Sequence, residues 1–181
     1  PGTVTSMWPQ APGAQNLNSA KGECLLCQCV PVSNCEILVP GKVVLTENSG
    51  VSPQHQFGQL VNLEVVAPSV ATFELELDQS ITFLAGQYLL LRLPAMEGYR
   101  PYSMTSFSIC SQNPTFVIKC VPGGRFSETL FNDKFKAARV DVFGPMGKAT
   151  FDPAEERDLT CMVGGSGIAG IMSILRQSRD I

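Results

Sequence analysis

Arg100-Pro101-Tyr102-Ser103-Met104 decides how this chain is read. The stretch follows the apolar run Phe83–Pro94 and sets a cation, an aromatic ring and a hydroxyl at i, i+2 and i+3. Arg can fork onto a phosphate, Tyr offers a flat face, and Ser can hydrogen-bond a ring edge, so the group suits a large planar anion. On an extended backbone Arg100 and Tyr102 point to one side and Ser103 to the other. Alone, such a stretch reads sooner as an ordinary strand start with a surface Arg. Its company along the chain decides between the two.

Around it, period-two alternation predicts strands. From Gly58 the apolar positions are Leu60, Val61, Leu63 and Val65, then Thr72–Leu77. The pattern recurs at Thr82–Leu93, Thr115–Val121, Arg139–Phe143 and Lys148–Phe151. Turn residues separate the runs at Pro68-Ser69, Asp78-Gln79-Ser80, Gln112-Asn113-Pro114, Pro122-Gly123-Gly124 and Gly144-Pro145-Met146-Gly147. Short strands at regular spacing predict a mainly β fold, a six-stranded antiparallel barrel. One helix interrupts it, expected to start near Ser127 with that hydroxyl as N-cap before Glu128.

Two glycine-rich turns carry further chemistry. Gly123-Gly124-Arg125-Phe126-Ser127 places glycines and a hydroxyl at a helix start, where unpaired N–H groups and the helix dipole favour an anion. A hairpin turn running into a capped helix explains the same residues. Downstream, Leu159–Val163 reads as an apolar strand, followed by Gly164-Gly165-Ser166-Gly167-Ile168-Ala169-Gly170 and a helix over Ile168–Ser178. Residues 165–170 spell G-x-G-x-x-G between strand and helix, the context of a dinucleotide fingerprint. The second strand with its ribose-binding acid is not among the residues that follow, so a tight turn holding nothing stays open.

The chain has 181 residues and a formal charge of −3, with no basic block, which argues against a nucleic-acid partner. The uncharged run Leu159–Leu175 falls short of the roughly 20 apolar residues of a spanning helix. Seven cysteines without a leader segment read as reduced thiols of a soluble, cytoplasmic protein. Residues 1–23 show little periodicity and are expected to be irregular. Cys24, Cys27, Cys29 and Cys35 then fall within twelve residues, C-x2-C-x-C-x5-C. Thiolates at this density suit zinc or iron–sulfur, but the spacing fits neither zinc pairs nor C-x4-C-x2-C. Buried or incidental thiols are an equal reading. His55, the sole histidine, falls in the expected linker and reads as a bystander.

Leu25–Ile37 resembles the last strand region of plant-type [2Fe–2S] ferredoxin domains. On that register Cys27 matches the fourth cluster ligand, the others lying upstream of this sequence, so the fragment is not expected to assemble the cluster. R-P-Y-S, then G-G-x-x-S before a helix, then G-G-S-G-I-A, in this order and spacing, resemble the ferredoxin–NADP reductase family. The nearest branch is the reductase components of bacterial multicomponent, ring-hydroxylating oxygenases. Ala85-Gly86-Gln87-Tyr88 and Gly144-Pro145-Met146-Gly147 match as well.

The resemblance implies four regions: 1–23 irregular, 24–50 a ferredoxin remnant with linker, 51–153 an FAD-binding barrel, and 154–181 the first β–α unit of a nicotinamide domain, truncated. It implies that Arg100 binds the flavin pyrophosphate, that Tyr102 packs on the isoalloxazine and hydrogen-bonds the ribityl chain with Pro101 also among the cofactor-binding residues, and that Ser103 reaches the ring near its reactive nitrogen as the catalytic residue. Lys119, Cys120 and Val121 would run along FAD, while Gly123, Gly124 and Ser127 would hold phosphate oxygens. Gly164, Gly165, Ser166 and Gly167 would cradle NAD(P)H. Gly170 departs from the family, which often has Pro there. The expected function is electron transfer from NAD(P)H through flavin to an iron–sulfur centre, with a ferredoxin or oxygenase component as acceptor. Two other readings stay open: a flavin-binding module without turnover, and a thiol-rich zinc-binding barrel.

Overall fold

The computed structural model describes residues 2–41, 51–94, 96–132, 139–152, 154 and 158–179. The chain divides into two compact units, Pro1–Ser49 with Glu97–Tyr99, and Gly50–Met96 with Arg100–Ile181. Part of the linker expected before residue 51, residues 42–50, lies outside the described residues, as does position 153, the expected end of the barrel.

In the first unit, β1 (Val4–Ser6) pairs antiparallel with β2 (Cys29–Pro31), Thr5 opposite Val30. Short 3-10 turns cover Pro12–Asn16, Ser19–Lys21 and Leu26–Gln28. Residues 1–23 are therefore not wholly irregular. A three-residue strand is too short to show a period, and its partner is more than twenty residues away, so local pattern missed it. Gln28 is buried, and its Nε2 donates to the Tyr99 carbonyl at 3.4 Å.

The second unit is built on strands β3 (Gln54–Ala67), β4 (Val70–Leu77), β5 (Ile81–Phe83), β6 (Tyr88–Arg92), β7 (Arg100–Ser103), β8 (Ser108–Ser111), β9 (Thr115–Lys119) and β10 (Arg139–Met146). Six of them form one antiparallel sheet in the order β7-β6-β10-β3-β4-β9. A bridge between Met104 and Phe116 brings its two edges together, leaving a nearly closed barrel as expected. β5 and β8 pair separately.

Alternation fills the interior. Along β4 the residues Ala71, Phe73, Leu75 and Leu77 are at most 1% exposed, while Glu74 and Glu76 face outward. Phe73 and Phe116 sit opposite each other in register and stack, ring centroids 5.0 Å apart. Helix α1 (Arg125–Phe131) plugs the barrel with Phe126 and Leu130. In β3 a bulge at Asn62, which has φ +53°, ends the buried stripe, and Leu63, Val65 and Val66 beyond it are exposed.

Several expectations need correction. The run Thr82–Leu93 is two strands, not one, because Gly86 breaks it. Gly86 has φ +96°, and a Cβ there would lie 2.1 Å from the Ala149 carbonyl oxygen, so only glycine allows the turn. Lys148–Phe151 forms no strand, since β10 itself runs on through Gly144-Pro145-Met146. Leu159–Val163 is also no strand: a strand exists only as a ladder, and no described segment pairs with it. Helix α2 (Ile168–Arg179) forms where expected, one residue longer. Ser127 is not the N-cap; Gly124 holds that position and Ser127 lies in the first turn of α1.

His55 is no linker residue either. It lies in β3, where its Nε2 is 2.6 Å from Asp141 Oδ1. Asp141 Oδ2 accepts from Arg92 Nε at 3.0 Å and from the same guanidinium's Nη2. No helix among the described residues is long and apolar enough to cross a membrane.

Candidate functional site

A groove of about 410 Å³ opens in the barrel unit. β7 supplies Arg100, Pro101, Tyr102 and Ser103 to it, β9 with the turn after it supplies Lys119 and Val121, and α1 with its N-cap supplies Gly124, Phe126 and Ser127. Ser166, Gly167 and Ala169, at the start of α2, border the same groove. Three segments that lie far apart in sequence therefore converge on one groove. Cys120, Gly123, Gly164 and Gly165 do not line it.

β7 can present this group because Leu89, Leu90 and Leu91 of β6 hold it in register against Tyr102, Pro101 and Arg100. Pro101 faces outward, where its missing N–H costs the edge strand nothing. Tyr102 rests on Phe126, ring centroids 4.8 Å apart and tilted by 38°. Phe126 is 2% exposed and packed in the core, so it fixes the tyrosine ring from behind.

Among the described residues that line the groove, Arg100, Lys119 and Arg125 are cations and none is Asp or Glu. Partial burial, the largest influence, holds Arg100 below the usual guanidinium value; Tyr102 opposes that and Arg125 adds to it by like-charge repulsion. Burial pushes the Tyr102 phenol well above its ordinary value, against the pull of Arg100. Tyr102 is thus a neutral hydrogen-bonding phenol at physiological pH. Arg125 and Phe126 were not singled out from the sequence. The turn motif G-G-x-x-S contains both, but only the fold shows that one adds charge to the groove and the other backs the aromatic.

The glycine turn before α1 is internally bonded. Gly123 N–H donates to Glu128 Oε1 at 2.7 Å and Gly124 N–H to the Val121 carbonyl at 2.8 Å. The Ser127 hydroxyl accepts from Val121 N–H and donates to the Gly124 carbonyl, both at 3.1 Å. Attraction for an anion here comes chiefly from the three side-chain cations. At the other glycine turn, residues 165–167 form a single 3-10 turn leading into α2, with Gly165 at φ +58°.

In the first unit Cys27 is exposed, and Gln28 Nε2 reaches its sulfur at 3.8 Å. Burial and the neighbouring Cys24 and Cys27 raise the Cys29 thiol above its ordinary value. Among the described residues no three His, Cys, Asp or Glu side chains gather to hold a metal ion.

An anion-attracting groove with an aromatic wall on a small antiparallel barrel is the architecture of a flavin-binding oxidoreductase domain. Residues 58–151 match the oxidoreductase FAD-binding domain family, and the chain belongs to that family. It is 34% identical over 179 residues to the ferredoxin–NAD(P)(+) reductase CarAd of Metapseudomonas resinovorans, covering 98% of this chain and 54% of that protein. It is 32% identical over 176 residues to the ferredoxin–NAD(+) reductase component of the alkene monooxygenase system of Xanthobacter autotrophicus, covering 97% and 53%. The solved ferredoxin reductase of carbazole 1,9a-dioxygenase superposes with a TM-score of 0.82 at 33% identity, covering all of this chain and 54% of the other. The chain thus spans about half the length of the curated relatives it matches. The resemblance drawn from R-P-Y-S and the two glycine turns is the relationship these comparisons show.

Proposed function

We propose that this chain is the flavin-binding part of a reductase that takes electrons from NAD(P)H and delivers them to an iron–sulfur centre of an oxygenase system. One observation carries the reading: a groove whose described lining holds three cations and no carboxylate, walled by a core-backed tyrosine and bordered by a glycine turn. That donor set fits FAD, which combines a planar ring with a doubly charged pyrophosphate. When bound, FAD supplies the conversion of a two-electron hydride into single electrons.

The chain's own residues bind and orient. Arg100 holds the pyrophosphate by charge-assisted hydrogen bonds, with Lys119, Val121, Gly124 and Ser127 along the same wall. Cys120 and Gly123 support that wall from outside the groove. Tyr102 would pack on the ring system and its neutral phenol would hydrogen-bond the ribityl chain, with Pro101 lining the groove beside it. Ser103 offers its hydroxyl to the ring edge. Ser166 and Gly167, with Gly164 and Gly165 before them, form the turn for the nicotinamide nucleotide. Residues 51–153 are the barrel domain of this proposal, and 154–181 the beginning of the nicotinamide half. Support for a ferredoxin or oxygenase component as acceptor comes from the names of the relatives. A cytoplasmic setting rests on the seven free thiols. Cys27 keeps its assignment as a cluster ligand only through the ferredoxin resemblance, and no step here runs through it.

A second reading is a flavin-binding module without turnover. Reconstitution with FAD tests the first claim: Arg100→Ala should weaken retention by roughly 1.5–3 kcal/mol, the worth of a hydrogen bond to a charged group. Equal flavin content in variant and parent would refute the site. Reduction by NADH or NADPH, timed against dithionite, separates the readings, since a module without turnover responds to dithionite alone.

A further inference from the structure

We propose that Ser173 and Arg176 are positioning residues that latch α2 onto two turns of the barrel, so that the start of this helix forms one wall of the flavin groove. The inference rests on the proposed flavin site. Ser173 is 0% exposed; its hydroxyl accepts from Gly86 N–H at 2.8 Å and donates to the Gly170 carbonyl at 2.7 Å. Three residues further along α2, Arg176 Nη1 donates to the Thr105 carbonyl at 2.7 Å. That spacing puts both groups toward the same side of the helix.

The two anchor points are themselves joined. Met104 N–H donates to the Gln87 carbonyl at 3.2 Å, and Gln87 Oε1 accepts from Leu84 N–H at 2.8 Å, so the turns at 84–87 and 103–105 are tied to each other through Gln87. Packing leaves little slack between helix and turn. A Cβ placed on Gly86 would lie 3.2 Å from Ile174 Cδ1, and one on Gly170 would lie 3.5 Å from Ser103 Oγ. Ser103 and Ala169 line the same groove. The latch therefore fixes how far the first turn of α2 stands from the hydroxyl assigned to the flavin ring.

Serine is not what apolar packing alone would place here. Alanine has the better helix propensity and buries no polar group. A hydroxyl with two directed bonds sets the rotation and height of the helix, which apolar contact does not. Arg176 repeats the restraint from the next turn.

The test compares Ser173→Ala, Arg176→Met and Arg176→Lys in the flavin-loaded chain, with Asp78→Asn, which breaks the exposed Arg139–Asp78 pair, as the control. Three readouts are needed: amide exchange across 168–179, flavin dissociation, and iodide quenching of bound flavin, the last reporting ring exposure. Ser173→Ala and Arg176→Met should each speed α2 exchange and flavin dissociation about tenfold, the worth of one buried hydrogen bond, and should raise quenching. Arg176→Lys, which can still donate to Thr105, should restore most of the parent behaviour, and the control should change none of it. A purely structural role would lower the melting temperature but leave quenching of the bound population unmoved, and that result overturns the wall. Unchanged α2 exchange in both Ser173→Ala and Arg176→Met overturns the latch. Arg176 is exposed, so its variants remain informative if Ser173→Ala fails to fold. A parent chain that takes up no flavin overturns the proposed function and the wall together; a flavin-loaded parent with indifferent variants overturns the wall alone.

Discussion

β4 and the segment 159–163 are both rich in apolar residues with one threonine each, and they end in opposite environments. β4 is laddered on both edges, by β3 and by β9, and its inward side chains are at most 1% exposed. In the other segment Leu159 is 50% exposed, Met162 91% and Val163 46%, and no ladder forms. Apolar side chains gain burial only when a neighbouring backbone satisfies their N–H and C=O groups and an opposing face covers them. The barrel closes on itself and supplies both; among the described residues, nothing supplies either for 159–163.

The largest effect that would sharpen this contrast is Phe73→Ala. It removes half of the Phe73–Phe116 stack from a core with no slack and should cost about 3–5 kcal/mol in urea unfolding. Gly86→Ala comes next, at about 1–3 kcal/mol, because it forces a positive φ and meets the Ala149 carbonyl oxygen. A thermal melt matching the parent would show that the turn relaxes freely. Smallest should be Met162→Lys, expected within about 0.5 kcal/mol of the parent, since the side chain is already in solvent. A cost comparable with Phe73→Ala would mean that 159–163 is buried in solution, and the contrast would fail.

What could be read from the residues follows the same division. Thr72–Leu77 was legible because a half-buried strand writes its two faces into alternate positions. R-P-Y-S and the glycine turns were legible because their chemistry is local and their order along the chain is specific. Phe126 behind Tyr102 was not, since the two meet across more than twenty residues and only closure of the barrel brings them together. Ser173 was hidden for a related reason: its partner is a backbone N–H, which leaves no mark in the identity of residue 86 beyond a glycine. His55 read as a linker residue, and nothing in its neighbour Gln56 marked a core position; Gln56 is buried, and its Oε1 accepts from Gln79 N–H at 2.9 Å.

Asp141 carries a consequence of a different kind. A strand that slips by one residue turns its oily side outward, and the barrel rejects it at once. A slip of two returns each side chain to its own face of the sheet, so the core by itself is far less sensitive to that error. Asp141 is not. It stands directly opposite Arg92 on β6 and reaches His55 on β3, two places along from its own partner Phe57. One carboxylate, with an oxygen for each neighbour, thus serves as a proofreading mark for three adjacent strands, distinguishing the correct alignment from the only misalignments that greasy side chains would forgive.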